Sequence, residues 1–214
     1  MNNKDYVKIK NKIENEENSI LIIANGSSVL SFNYGKLIDK FQTVARINNY
    51  STVNYKSLIG QKTDIWFNGA NQGLKKRKIA NEKIIVFVPA SIQYNKPHRL
   101  NKISKRLGVT RNQYILISKE EMLSYEKSAK ITRLTTGLSS ILWSINNYNK
   151  VIIHGFDFFQ KSKGHYFDNK IKTFLINYGV IKIGTKHDNI LEKEFVNQLI
   201  NKKNVITLEN YLKI

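Results

Sequence analysis

Cysteine is absent from all 214 residues. Disulfides, thiolate nucleophiles and cysteine-based zinc sites are therefore excluded. Proline is scarce, at two residues. No apolar run approaches the roughly 20 residues needed to cross a bilayer. Met1–Asn18 is polar and charged, without the apolar segment of a secretory signal. These absences predict a chain that does not span a membrane, cytoplasmic or resting peripherally on the inner face. Neither a Gly-Lys-Ser/Thr phosphate loop nor a GxGxxG turn occurs.

Positive charge, by contrast, is plentiful. Lys and Arg number 35 against 16 Asp and Glu, a formal net charge of +19. Such a balance suits an anionic partner: nucleic acid, an anionic membrane, or a phosphorylated or acidic substrate. Lys and Asn are abundant together, as in an AT-rich genome, so compositional drift accounts for part of the same number. With 41% hydrophobic residues the chain can bury a proper core. Its length fits one domain over residues 19–214, preceded by a polar lead-in, a candidate helix, over residues 1–18.

Short apolar runs recur along the chain: Ser19–Ala24, Thr43–Ile47, Asp64–Phe67, Lys83–Val88, Tyr114–Ile117, Val151–His154 and Asn204–Thr207. They are apolar throughout rather than alternating, which suits strands buried on both faces. Helical patterns separate them, most clearly at Thr136–Tyr148 and Asn189–Asn201. Strands alternating with helices predict an α/β domain of Rossmann-like α/β/α layers around a mostly parallel sheet. In such sheets ligands bind beyond the carboxyl ends of the strands.

The predicted strand ends carry a consistent chemistry. Asn25-Gly26-Ser27-Ser28 follows the first, Arg46-Ile47-Asn48 closes the second, and Phe67-Asn68-Gly69 the third. Glycine admits close backbone approach, and Asn offers a donor and an acceptor in one plane. A plain turn, and chance in an Asn-rich chain, explain the same residues. Arg133-Leu134-Thr135-Thr136-Gly137 precedes a helix, where a threonine caps the helix and its free N–H groups suit an anion. Gly155-Phe156-Asp157 follows the sixth strand, His165-Tyr166-Phe167-Asp168 comes ten residues after Gly155, and His187 precedes Glu192 by five. Histidine titrates near neutral pH and is the usual general base or acid. His98 and His154 read as structural.

In this order the motifs resemble those of sialyltransferases, both bacterial glycosyltransferase family 42 and animal family 29. The Asn25-Gly26 and Arg46-x-Asn48 elements are similar to those of both lineages, the Arg133-x-Thr135-Thr136-Gly137 and Gly155-x-Asp157 elements to those of the bacterial one, and Asn68 matches its third asparagine. The His165-Tyr166-Phe167-Asp168 and His187-x4-Glu192 elements are similar to those of the animal one. The chain departs by having Phe159 and His165 where the bacterial enzymes have phosphate-binding tyrosines, and the segment between Phe159 and His187 is short.

The resemblance implies a GT-A-like fold variant and an inverting transfer of sialic acid from CMP-sialic acid to a glycan hydroxyl. The acceptor would be a bacterial surface polysaccharide or lipooligosaccharide, lipid-linked in one version. It implies His187 as general base and His165, or Tyr166, as phosphate contact. Asn25, Gly26, Ser27, Asn48, Asn68, Thr135, Thr136, Gly137, Gly155, Phe156 and Asp157 would hold the donor. Arg133 either binds an acidic acceptor or is an exposed residue before a cap; Glu192 either orients the acceptor or is a solvated helix residue. No Asp-x-Asp pair occurs, and CMP leaves with a single phosphate, so no cofactor or metal is expected. The rivals are a CMP-Kdo transferase, a non-catalytic nucleotide-binding homologue and a nucleic-acid-binding protein built on Lys75-Lys76-Arg77-Lys78. The last is disfavoured because no RRM, OB or helix-turn-helix pattern appears. A homo-oligomer stays open.

Overall fold

Five consecutive buried residues, Ser19–Ile23, form the strand at the heart of the sheet. The computed structural model describes residues 2–75, 77, 79–157, 166–167 and 188–213. Its seven strands are β1 (Ser19–Ile23), β2 (Thr43–Ile47), β3 (Ile65–Asn68), β4 (Lys83–Val86), β5 (Tyr114–Leu116), β6 (Lys150–His154) and β7 (Val205–Thr207). Each falls where the apolar runs placed a strand, within a residue or two. They pair in the order β5-β4-β3-β2-β1-β6-β7, and every pairing is parallel.

The continuous hydrophobicity follows from burial on both faces. Ile20 and Ile22 pack into one layer with the Thr136–Asn147 helix, through Leu138 and Ile141, and with Val196 of the Asn189–Asn201 helix. Leu21 and Ile23 pack into the opposite layer with Leu37, Phe41, Leu208 and Tyr211. The polar lead-in belongs to this second layer. Asn3–Glu14 is a helix capped by Asn2, and it buries Ile9 and Ile13 there. The C-terminal stretch closes the fold, with Val205, Leu208, Tyr211 and Leu212 buried. Among the described residues no helix is long and apolar enough to cross a membrane.

Register levels the strand ends. Ile23 pairs with Arg46 on one side and with His154 on the other. The chain builds outward from β1 to β5 and then crosses back to place β6 on the free side of β1. The loops after β1 and β6 therefore leave the sheet in opposite senses, at the topological switch point where such folds hold ligands.

Arg46 sits at a strand end but faces the layer away from that crevice. It is 1% exposed. Its guanidinium donates to Ile59 O at 2.7 Å, Lys62 O at 3.1 Å and Thr63 Oγ1 at 3.1 Å. Burial lowers its pKa, opposed in part by Tyr166, Tyr50 and Asp39. This arginine ties the Lys56–Ile59 helix and the following turn to β2. Arg46→Met should cost roughly 2–3 kcal/mol, a fall of about 5–10 °C in Tm for a chain of this size. A melting temperature equal to wild type would contradict this structural assignment.

Candidate active site

A cleft of about 600 Å³ opens above the carboxyl ends of β1, β2, β3, β4 and β6. Its floor at the switch point is two loops laced together. Ala24 N–H donates to His154 O at 2.8 Å and Gly26 N–H to Gly155 O at 2.9 Å. The Asp157 carboxylate accepts from Ser28 N–H at 2.9 Å, from Ser27 Oγ at 3.4 Å, and from the Ser28 hydroxyl. Both glycines are required sterically. A Cβ on Gly26 would lie 2.4 Å from Asp157 Cγ, and Gly155 has φ +74° with Val29 Cγ1 2.2 Å from a Cβ.

The asparagines divide their work. Asn25 gives both amide hydrogens to main-chain carbonyls, Ile47 O at 3.0 Å and Asn49 O at 2.9 Å, so its side chain can only accept further bonds. Asn48 has φ +50° and accepts from Gly69 N–H at 2.9 Å. Its NH2 is left as the donor. Both line the cleft. Asn68 does not: it is fully buried, and its Oδ1 holds Ala70 N–H at 2.7 Å. Ser27 and Tyr166 also stand outside the lining. Ser27 serves the Asp157 junction. The Tyr166 hydroxyl donates to Ser51 O at 2.6 Å and accepts from Ser51 N–H at 3.1 Å, and burial pushes its pKa up to about 12. Asn68, Ser27 and Tyr166 therefore shape the loops rather than face a ligand.

The opposite wall is the start of the Thr136–Asn147 helix. Thr135 caps it, accepting from Leu138 N–H at 3.1 Å. The N–H groups of Thr136 and Gly137 have no intrahelical partner, and both residues line the cleft beside Phe156. This end of the helix dipole attracts an anion. Glu192, in the first turn of the Asn189–Asn201 helix, accepts from Thr135 N–H at 2.6 Å and from Thr135 Oγ1 at 2.5 Å. It is 1% exposed, which overturns the solvated reading of this residue. Burial raises its pKa, and the Thr135 donors oppose the rise. Arg133 also lines the cleft, in a left-handed backbone conformation with φ +60°. His165 and His187 lie outside the described residues.

Arg99 and Arg106 line the β4 end of the cleft and were not singled out in the sequence. No motif surrounds them; their one local cue is membership of the short helical stretch after Pro97. Of the Lys75–Lys78 run, Arg77 is occupied elsewhere. It stacks over Tyr50 and Trp66 and pairs with Glu82 at 2.5 Å, so the run is not a uniformly solvated basic patch.

The sequence profile described as glycosyltransferase family 29 (sialyltransferase) matches residues 4–89 and 74–204. The chain belongs to glycosyltransferase family 29. Two crystal structures of a mammalian sialyltransferase share its fold, one of them in complex with Gal-beta-1-3GalNAc-ortho-nitrophenol. Their TM-scores are 0.66 and 0.65 at 17% and 16% identity, over 97% of this chain and 79% of theirs. A 53-residue stretch, 25% of this family 29 chain, is 38% identical to the beta-1,6-galactosyltransferase GALT29A of Arabidopsis thaliana, and spans 13% of that protein's length.

The raised pKa of Glu192 has a definite sign. The folded state binds its proton more tightly than the unfolded chain does. The group therefore stabilises the fold most below the ordinary carboxylate pKa, and that contribution is lost as pH rises through the folded value. Glu192→Gln should flatten this part of the pH dependence of Tm while the protein stays folded. Glu192→Ala should cost about 1–3 kcal/mol by leaving Thr135 N–H without its acceptor. An unaltered pH profile in Glu192→Gln would contradict the assignment.

Proposed function

We propose that the chain transfers a sialic-acid-type sugar, a 2-keto acid, from its CMP ester to a hydroxyl of a glycan acceptor, with inversion and without a divalent metal. The observation that supports this is the start of the Thr136–Asn147 helix, whose Thr136 and Gly137 N–H groups have no intrahelical partner, across one cleft from the Asn25–Gly26 and Asn48 loops. The two Thr136 and Gly137 N–H donors suit the sugar carboxylate or the single phosphate. The acceptor group of Asn25 and the donor group of Asn48 suit the cytidine. With one phosphate on the leaving group, helix N–H groups and an imidazolium suffice to balance its charge.

In this reading His187 takes the proton of the acceptor hydroxyl as its oxygen bonds to the anomeric carbon and the bond from that carbon to the CMP phosphate oxygen breaks, and protonated His165 donates to the departing phosphate. Two placements support these roles. Asn189, two positions after His187, lines the cleft. Tyr166, which follows His165, donates its N–H to Asn25 O at 3.1 Å. The Glu192–Thr135 bonds hold the helix that begins just after His187 against the donor wall. The match to a named galactosyltransferase favours one second reading, a galactosyl donor in the same cleft.

Melting curves with CMP, UMP, UDP and GDP separate the two. At about 100 times its Kd a ligand adds about 2.7 kcal/mol, so CMP should raise Tm by roughly 5–10 °C and the others little. Preferential stabilisation by UDP would overturn the CMP reading. His187→Ala should lower transfer by about 10²–10⁴ and leave the CMP shift in place. Turnover should survive chelator; loss of activity restored by Mg²⁺ or Mn²⁺ would refute metal independence.

A further inference from the structure

The cleft is asymmetric in charge. Its β1 and β6 end is main chain, hydroxyls, amides and the Asp157 carboxylate bonded to Ser27 and Ser28, whereas its β4 end carries guanidinium groups. Arg99 belongs to the Pro97–Lys102 turn and Arg106 to the Ile103–Leu107 helix that continues it. Both line the cleft together with Leu100 and Ile103. The spacing of these four residues, i, i+1, i+4 and i+7, is that of one helical face. Arg106 is fixed by donating one N–H to Ala70 O at 2.7 Å. A guanidinium carries five donors, in a fork that matches carboxylate or phosphate. Arg133 lines the same cleft.

Among the described residues no acid offsets Arg99 or Arg106. Among the described residues the lining carboxylates are Asp157 and Glu192, engaged with Ser27 and Ser28 and with Thr135. Among the described residues no ion pair joins Arg99 or Arg106 to a carboxylate. The neighbouring surface is apolar, with Leu100, Ile103 and the buried ring of Phe87. A guanidinium beside such a surface attracts an anion more strongly than one in open water.

These cations stand away from the Asn25–Gly26 loop, while Thr136 stands against Gly69, next to the Ala70 carbonyl that holds Arg106. In the sheet β4 lies three strands from β1. At about 4.8 Å per strand, the two ends of the cleft are about 14 Å apart. A donor anion held by the Thr136 and Gly137 N–H groups does not need them. They suit a second anion, carried by the other substrate.

We infer that the β4 end of the cleft takes an acceptor glycan bearing a carboxylate or a phosphate, with Arg99 and Arg106 as its specificity-determining residues. This rests on the donor reading above, which places the nucleotide at the switch point.

The test is binding, read without turnover. Saturation-transfer NMR titrations would compare the methyl glycosides of galactose, galacturonate and galactose 6-phosphate, which differ only at carbon 6. They would be run on wild type, Arg99→Gln, and Arg99→Gln/Arg106→Gln. Wild type should bind at least one charged glycoside on the order of tenfold more tightly than the neutral one. The preference should shrink in about 0.5 M salt, weaken in Arg99→Gln and vanish in the double variant. Which charged glycoside wins identifies the anion. Arg99 is exposed, so its single variant keeps the test open should the double variant not fold. Equal binding of all three glycosides by wild type, or a preference surviving both substitutions, would overturn the inference. The CMP melting shift, run in parallel, reports the donor reading separately. Its absence alongside an intact anion preference would sink that reading only. Its loss in the double variant would assign these arginines to the donor and overturn the inference.

Discussion

One carboxylate makes the crevice. Asp157, just past β6, reaches across to the turn after β1 and binds Ser27 and Ser28, while Gly26 and Gly155 bring the two backbones into direct contact. The crossover from β5 to β6 sends these loops apart. Without a cross-brace the strand ends would offer two independent turns rather than one floor. The brace also explains why glycine is needed at both positions, since a Cβ on either would enter the space that the other loop fills.

A second brace sets the opposite wall. Thr135 caps one helix and binds Glu192 of another, so a single hydroxyl joins the cleft-facing start of the Thr136–Asn147 helix to the Asn189–Asn201 helix. Burying an acid here is tolerable because two Thr135 donors meet its oxygens. The arrangement couples two helix starts in space. The helix whose first N–H groups face the cleft and the Asn189–Asn201 helix are bonded near their starts, so a shift of one is felt by the other.

Most of the architecture was legible in the sequence because parallel strands buried on both faces leave continuous apolar runs. Ile20 and Leu21 go to opposite layers and both are buried. The short helices Gly35–Ile38 and Lys56–Ile59 were not legible, as four residues carry too little periodicity. At the site, position after a strand pointed to Asn25, Asn48 and Asp157, and position at a helix start to Gly137, but position cannot report which way a side chain turns. Arg46 and Asn68 end strands as Asn25 and Asn48 nearly do, yet both are directed into the protein. For Glu192 the sequence left two readings open, orienting or solvated, because its partner, Thr135, is 57 residues away in sequence. Arg99 and Arg106 sit in a stretch without a motif, and only the fold brings them to the same cleft as Gly26.

The central claim is that a cytidine monophosphate sits at the switch point, between the braced loops and the start of the Thr136–Asn147 helix. A crystal structure of the chain soaked with CMP tests it most directly. The account predicts the nucleotide against Gly26, Asn48 and the Thr136–Gly137 N–H groups, with the β4 end of the cleft left open. Nucleotide density beside Arg99 and Arg106, with the switch point empty, would contradict it.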